Sequence, residues 1–294
     1  MGFFDTPLLI TVAPNGAYKQ LQDHPAVPVT PEGLAQTAKA CHDAGAAMLH
    51  LHIRDAQGRH SLDVAGYQEA LRVVRAAVGP DMILQVTSEA AKVYQAPQQL
   101  AMVRALVPEA LSVGLREIDQ PEVGEAGLAR FFAWLIEHHV MTQVILYDEQ
   151  DLRRWQALRQ QGVVPDGRWF LLFVLGRYTA GQRSTPQDLL PFVQNHRTGE
   201  PWAMCAFGSG EHACAATAAA LGGHVRVGFE NNLLLKTGEI ARDNAQLVQQ
   251  VVDVAAALGR PLATAQQARE WFAVCASSAS EQNPSHNRAP GDKP

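Results

Sequence analysis

Apolar and polar positions follow two rhythms along this chain. Eight short runs are rich in β-branched and other apolar residues and read as strands: Leu8–Ala13, Ala47–Ile53, Met82–Thr87, Ala110–Leu115, Thr142–Tyr147, Trp169–Leu175, Trp202–Phe207 and His224–Phe229. Stretches with helical spacing lie between them, beginning near Thr30, Val64, Ala96, Gly124, Glu149, Thr185, Ser209 and Glu239. Thr30-Pro31 and Thr185-Pro186 have the form of an N-cap followed by a first-turn proline, and Ser209 stands where its helix would be capped. Strand then helix, eight times over, with no break in composition, predicts an α/β fold: one closed parallel (β/α)8 barrel of the TIM class over residues 1–276. A doubly wound open sheet is the alternative. It usually carries a G-x-G-x-x-G turn after its first strand, and Thr11 to Ala17 contains none. Ala263–Cys275 is expected to add a C-terminal helix, and the Ser-, Asn- and Pro-rich segment 277–294 to be a disordered tail. Asn15 to Pro28 forms a first βα loop about twice the usual length, a kind that often caps an active site.

Period-two alternation assigns the faces of each strand. With Leu49, Leu51 and Ile53 toward the helices, Met48, His50, His52 and Arg54 turn into the barrel. The same rule turns Gln85, Thr87 and Glu89 inward, then Ser112, Gly114 and Arg116, then Arg226, Gly228 and Glu230. Ionisable groups therefore gather at the C-terminal ends of the strands, where such barrels place their chemistry. Leaving them buried and unpaired costs several kcal/mol, so they pair or bind something.

Composition narrows the function classes. A net charge of −5 with scattered Lys and Arg argues against a nucleic-acid partner. No run of 18 apolar residues exists to span a membrane, and the first residues lack the basic start of a signal peptide, so the expected compartment is the cytoplasm. The four cysteines, Cys41, Cys205, Cys214 and Cys275, show no C-x-x-C spacing and read as reduced thiols, with Cys41 and Cys205 in the core.

Histidines at i and i+2 of one strand put both imidazoles on one side. With Glu230 arriving from the last strand, two strands away around the barrel, His50, His52 and Glu230 make a candidate set of metal ligands with a position left open. The other reading is a pair of hydrogen-bonded interior histidines. Asp55 is placed to orient a ligand histidine. His24, His42, His60 and His196 read as surface or loop residues. Amidohydrolase barrels also carry H-x-H, but on the first strand and with later histidines absent here.

The segments Ile10–Ala17, His24-Pro25, Pro28–Pro31, His50-Leu-His-Ile-Arg-Asp55 and Gly222–Asn232 together resemble the β-keto acid cleavage enzyme family, from about Leu9 to the last barrel helix. The resemblance implies a zinc barrel, or one loaded with another divalent transition metal, in which a β-keto acid and acetyl-CoA give acetoacetate and a new acyl-CoA. It implies a homotetramer or homodimer, metal ligands at His50, His52 and Glu230, and a site arginine at Arg226. The family usually has an aspartate base after the glutamate, and here that position is Asn231, whose amide has no accessible pKa. Glu89, Glu117 and Asp148 are the other carboxylates near strand ends, with Glu89 the leading candidate for base. Asn231 is then expected to donate to an oxyanion, and Asn15, Thr87, Ser88 and Ser112 to hold substrate. Arg226 reads equally as an anion-binding group and as an inward structural ion pair. The Asn231 departure keeps a CoA-independent zinc lyase or isomerase on keto or hydroxy acids as an alternative, with a non-catalytic metabolite-binding barrel as the third reading.

Overall fold

The computed structural model describes residues 6–272. Ten strands form: β1 (Ile10–Val12), β2 (Met48–Leu51), β3 (Ile53–Arg54), β4 (His60–Ser61), β5 (Ile83–Thr87), β6 (Ala110–Gly114), β7 (Met141–Leu146), β8 (Phe170–Leu175), β9 (Trp202–Ala206) and β10 (His224–Val227). All but β3 and β4 close into a parallel barrel of eight, each beside its sequence neighbour, with β10 returning to β1. The open-sheet alternative is thereby excluded. The helices are α1 (Pro31–Asp43), α2 (Val64–Val78), α3 (Ala96–Leu106), α4 (Leu115–Ile118), α5 (Gly124–Glu137), α6 (Glu149–Gln160), α7 (Leu190–Asn195), α8 (Glu211–Ala220), α9 (Asn244–Ala257) and α10 (Ala265–Phe272).

The alternation rule accounts for two separate cores. Outward residues such as Leu49, Leu51, Val86 and Val113 pack with Leu34 and Cys41 of α1 and Tyr67 of α2. Inward residues Leu9, Met48, Ile83, Phe170 and Leu172 fill the lower barrel, and α10 seals its floor with Phe272 stacked on Phe170 at 4.4 Å. Each buried Leu or Phe contributes roughly 1.5–3 kcal/mol, so the barrel does not depend on its polar mouth for stability.

Local signals worked where the expected cap formed. The Thr30 hydroxyl accepts from Gly33 N at 3.1 Å and starts α1, a cap contributing about 1 kcal/mol. Ser209 does not cap α8, whose N-cap is Gly210 with no side-chain bond. The Thr185 region begins as a 3-10 turn, Pro186–Leu189, before α7. The last barrel helix starts at Asn244 rather than near Glu239, with the Asp243 carboxylate accepting from Gln246 N. The tail expected over 277–294 lies outside the described residues.

One element has no counterpart in the sequence reading. After β2 the chain turns back as a β3–β4 hairpin, pairing Arg54 with His60. Asp55 builds its turn, accepting from Gln57 N at 2.8 Å, Arg59 N at 2.9 Å and Arg59 Nε at 2.8 Å. It therefore orients no histidine, because backbone amides and Arg59 already engage its carboxylate.

Candidate metal centre

His50 and His52 leave the end of β2 on the same side, and Glu230 follows β10 across the β1 strand that separates them. Gly16 makes room for that carboxylate. It sits at φ +57°, and a Cβ there would come within 2.5 Å of Glu230 Cγ. His50 Nε2 lies 3.0 Å from His52 Nε2, and Glu230 Oε2 is 3.5 Å and 3.4 Å from the two nitrogens. Ligands about 2.0–2.1 Å from a tetrahedral ion sit roughly 3.3 Å apart.

The outer hydrogen bonds decide which ring nitrogens carry protons. Gln85 Oε1 only accepts, so His50 Nδ1 donates to it at 2.9 Å and Nε2 keeps its lone pair. The Glu89 carbonyl likewise only accepts. His60 Nε2 therefore donates to it at 2.9 Å, and His60 Nδ1 receives the Nδ1 proton of His52 at 3.4 Å. His52 Nε2 is left with a lone pair as well. Both rings are neutral: burial first, then the charge of Arg226, pushes His50 down to about 4, and burial holds His52 well below its ordinary value. Two imidazole nitrogens and a carboxylate oxygen with no hydrogen-bond partner thus converge within 3.5 Å of one another. Such a set suits a cation. These three residues are the cluster of metal-ligand type found among the described residues.

Arg226 supports the set from below, donating through Nη2 to Glu230 Oε1 at 3.0 Å and to Cys205 Sγ at 3.4 Å. Burial would raise the Glu230 carboxyl, but the charge of Arg226, first among the opposing causes, holds the group well below its ordinary value. The Nε and Nη1 hydrogens of Arg226 are buried without an acceptor. Glu89 stands on the open side, its Oε2 3.8 Å from His52 Nε2 and its Oε1 accepting from Arg177 Nη2 at 3.2 Å. Burial and the nearby Glu230 charge push the Glu89 carboxyl up to about 7 against the pull of Arg177. A pocket joins these groups, walled by Thr87, Ile145, Tyr147 and Val174 and reaching Glu117.

The other expected site residues divide. Thr87 lines the cavity, although its Oγ1 accepts from Glu89 N at 3.0 Å. Ser88 donates to the Ser112 carbonyl, while Ser112 Oγ is buried with no partner. Both side-chain atoms of Asn231 are likewise buried and unpartnered. Asn15 does not face substrate: its amide donates to Pro28 O and His52 O and accepts from His52 N, tying the first loop to the end of β2. Asp148 caps α6 and binds Arg116 Nη2 at 2.5 Å, so it stands outside the chemistry. Arg116 turns away from the barrel mouth because Leu115 begins α4, and it also binds Asp151. Sequence reasoning missed His60, which is 7% exposed beside His52 rather than on the surface, and His24, which is 9% exposed. The apolar-polar run around His60 is too short to announce a two-residue strand. Arg177 was missed because it follows β8 in an irregular loop.

The chain is 31% identical over 272 residues to the 3-keto-5-aminohexanoate cleavage enzyme of Fusobacterium nucleatum, covering 91% of this chain and 98% of that one. It is 28% identical to the 3-oxoadipate:acetyl-CoA acetyltransferase of Cupriavidus necator, covering 90% and 93%. Among solved structures, the ternary complex of ObcA with a C4-CoA adduct and oxalate superposes with a TM-score of 0.68 at 17% identity, over 84% of this chain and 67% of that one. Type I 3-dehydroquinate dehydratase from Clostridium difficile gives 0.58 at 10% identity, over 88% and 95%, and these two likenesses speak for the barrel alone. The pattern of the β-keto acid cleavage enzymes matches residues 7–274, and the chain belongs to that enzyme family.

Proposed function

We propose that this enzyme transfers the acyl part of a β-keto acid to CoA, using zinc held by His50, His52 and Glu230. The bond between the keto carbon and the CH2 of the acid breaks, and that CH2 joins the acetyl group of acetyl-CoA as acetoacetate. The acetyl–sulfur bond of acetyl-CoA breaks, and the keto acyl group leaves bonded to the freed CoA sulfur. The convergence of two imidazole nitrogens and a carboxylate oxygen within 4.8 Å of one another at the barrel mouth carries this reading. Neutral imidazoles with one carboxylate suit zinc. When bound, such an ion supplies Lewis-acid polarisation of a keto oxygen.

The chain's own groups do the rest. Arg226 offers Nε and Nη1 to a carboxylate or developing oxyanion. Glu89, on the open side of the site, takes the proton that an aspartate takes elsewhere in the family. Asn231 holds an oxyanion through its amide donor. Turnover of a β-keto acid panel should require acetyl-CoA. Equal product release without it would favour a CoA-independent lyase. Purified protein should carry one metal per chain, and His50→Ala/His52→Ala should lose it while staying folded; stoichiometric metal in that variant would sink the site. Glu89→Gln should lower turnover about 10²–10⁴-fold with metal retained, whereas a gain of that size in Asn231→Asp would return the base to position 231.

A further inference from the structure

The cavity that opens onto the histidines has two chemically different ends. At one end Arg226, 3% exposed, presents two N–H groups with no acceptor, a demand for an anion. At the other end stands Glu117, on α4 just past β6. Its side chain folds over Gly114, where an added Cβ would meet Glu117 Cγ at 3.2 Å. Glu117 Oε2 is fixed by Ala90 N at 3.0 Å and by the buried Gln99 amide at 2.9 Å. Its other oxygen makes no hydrogen bond to any described residue.

Each cation near Glu117 is engaged elsewhere. Arg116 is turned out to Asp148 and Asp151, and Arg177 binds Glu89. Among the described residues no Lys, Arg or His lies within 4.0 Å of the Glu117 carboxylate. Of the three carboxylates lining the cavity, Glu230 has Arg226 and Glu89 has Arg177 within 4.0 Å, whereas Glu117 has only its two amide donors. Burial raises its carboxyl above the ordinary value, outweighing its two amide donors and the more distant charges of Arg177 and Arg116. Between the two ends, Ile145 and Val174 give an apolar wall for a short carbon chain.

We infer that Glu117 selects β-keto acids whose far end carries a cationic nitrogen, an ammonium or a methylated ammonium. The substrate's carboxylate lies toward Arg226 and its cation against the free oxygen of Glu117. This rests on the proposed function for the reaction but not for the binding preference.

Three β-keto acids of matched length test it, ending in an ammonium, a methyl and a carboxylate, each at fixed acetyl-CoA. The wild type should prefer the ammonium acid over the methyl acid in kcat/KM by at least about tenfold, with the carboxylate acid poorest. Glu117→Gln keeps an acceptor for Ala90 and Gln99 and removes the charge, and should shrink that preference to within about threefold. A wild type that favours the neutral or anionic acid overturns the inference, as does a preference unchanged in Glu117→Gln. If none of the three turns over, the acyl-transfer reading falls. Calorimetric binding of the same acids to the metal-loaded wild type and Glu117→Gln then decides this one by the same ratios.

Discussion

Two buried arginines of this barrel, Arg260 and Arg226, show opposite uses of one side chain. Arg260, at the floor, is 3% exposed and donates to five carbonyls: Thr6, Pro7, Ala219, Gly222 and Gly223. It uses all three nitrogens to stitch the chain's first described residues to the α8–β10 turn. Arg226, at the mouth, is equally buried but leaves Nε and Nη1 without acceptors. The histidines repeat the contrast. His224 at the floor accepts from Leu9 N at 3.0 Å and stacks on Trp271, while His50 and His52 point lone pairs at each other. Where polar groups are saturated the barrel is held together; at the mouth buried donors and acceptors are left without partners.

Exchanging the arginines should break the contrast most visibly. Arg226→Lys keeps a charge beside Glu230 but loses the planar fork. It should lower kcat/KM by about 10²–10³-fold with little change in melting temperature. Arg260→Met should instead lower stability by about 2–4 kcal/mol, since it orphans several buried carbonyls. Activity per folded molecule should stay within about twofold of wild type. Comparable effects of the two substitutions on melting would remove the distinction.

The histidine half of the comparison sharpens at His60. Its Nδ1 is the acceptor that leaves His52 Nε2 free, so His60 is a positioning residue. His60→Leu should weaken metal binding about 10–100-fold, and His60→Asn, which restores an acceptor near Nδ1, should recover most of it. Nitrogen NMR of the metal-free protein should show the His52 proton on Nδ1 in wild type and His60→Asn but not in His60→Leu. Identical metal affinities in all three would remove His60 from the site.

The pH-dependent case is Glu211, a mouth carboxyl that is saturated. It accepts from Gly228 N and Asn232 Nδ2, both at 3.2 Å, and burial raises it to about 8 from an ordinary 4.5. The folded chain therefore binds this proton more tightly than the unfolded one. Its contribution to stability is complete below about pH 4.5 and lost as pH rises through about 8. Glu211→Gln should flatten the decline of melting temperature over that window; parallel wild-type and variant profiles would show that Glu211 carries no such linkage.

Much of this was legible in the sequence because it depends on period. The eight strands and the inward set His50, His52, Arg226 and Glu230 follow from alternation alone. What escaped depends on long-range hydrogen bonds that no local pattern encodes. The Asp55 carboxylate closes its own hairpin, Asn15 clamps backbone instead of substrate, and His60 arrives beside His52 only because that hairpin turns back. Arg116 was read inward by counting alternate positions one residue past the end of β6, where a helix begins and the period changes.

The first loop is built unlike the others around the mouth. Asn15 grips the backbone on both sides of it, Gly16 presses against Glu230, and Arg54 Nη2 donates to Gly16 O at 2.6 Å and Lys19 O at 3.0 Å. The loop after β8 closes mainly on itself, through Thr179 bonded to Gly176 and Arg183. Loops of a barrel are often treated as exchangeable modules. Here the first is not: a graft that replaces it also replaces the groups that brace Glu230 and the end of β2.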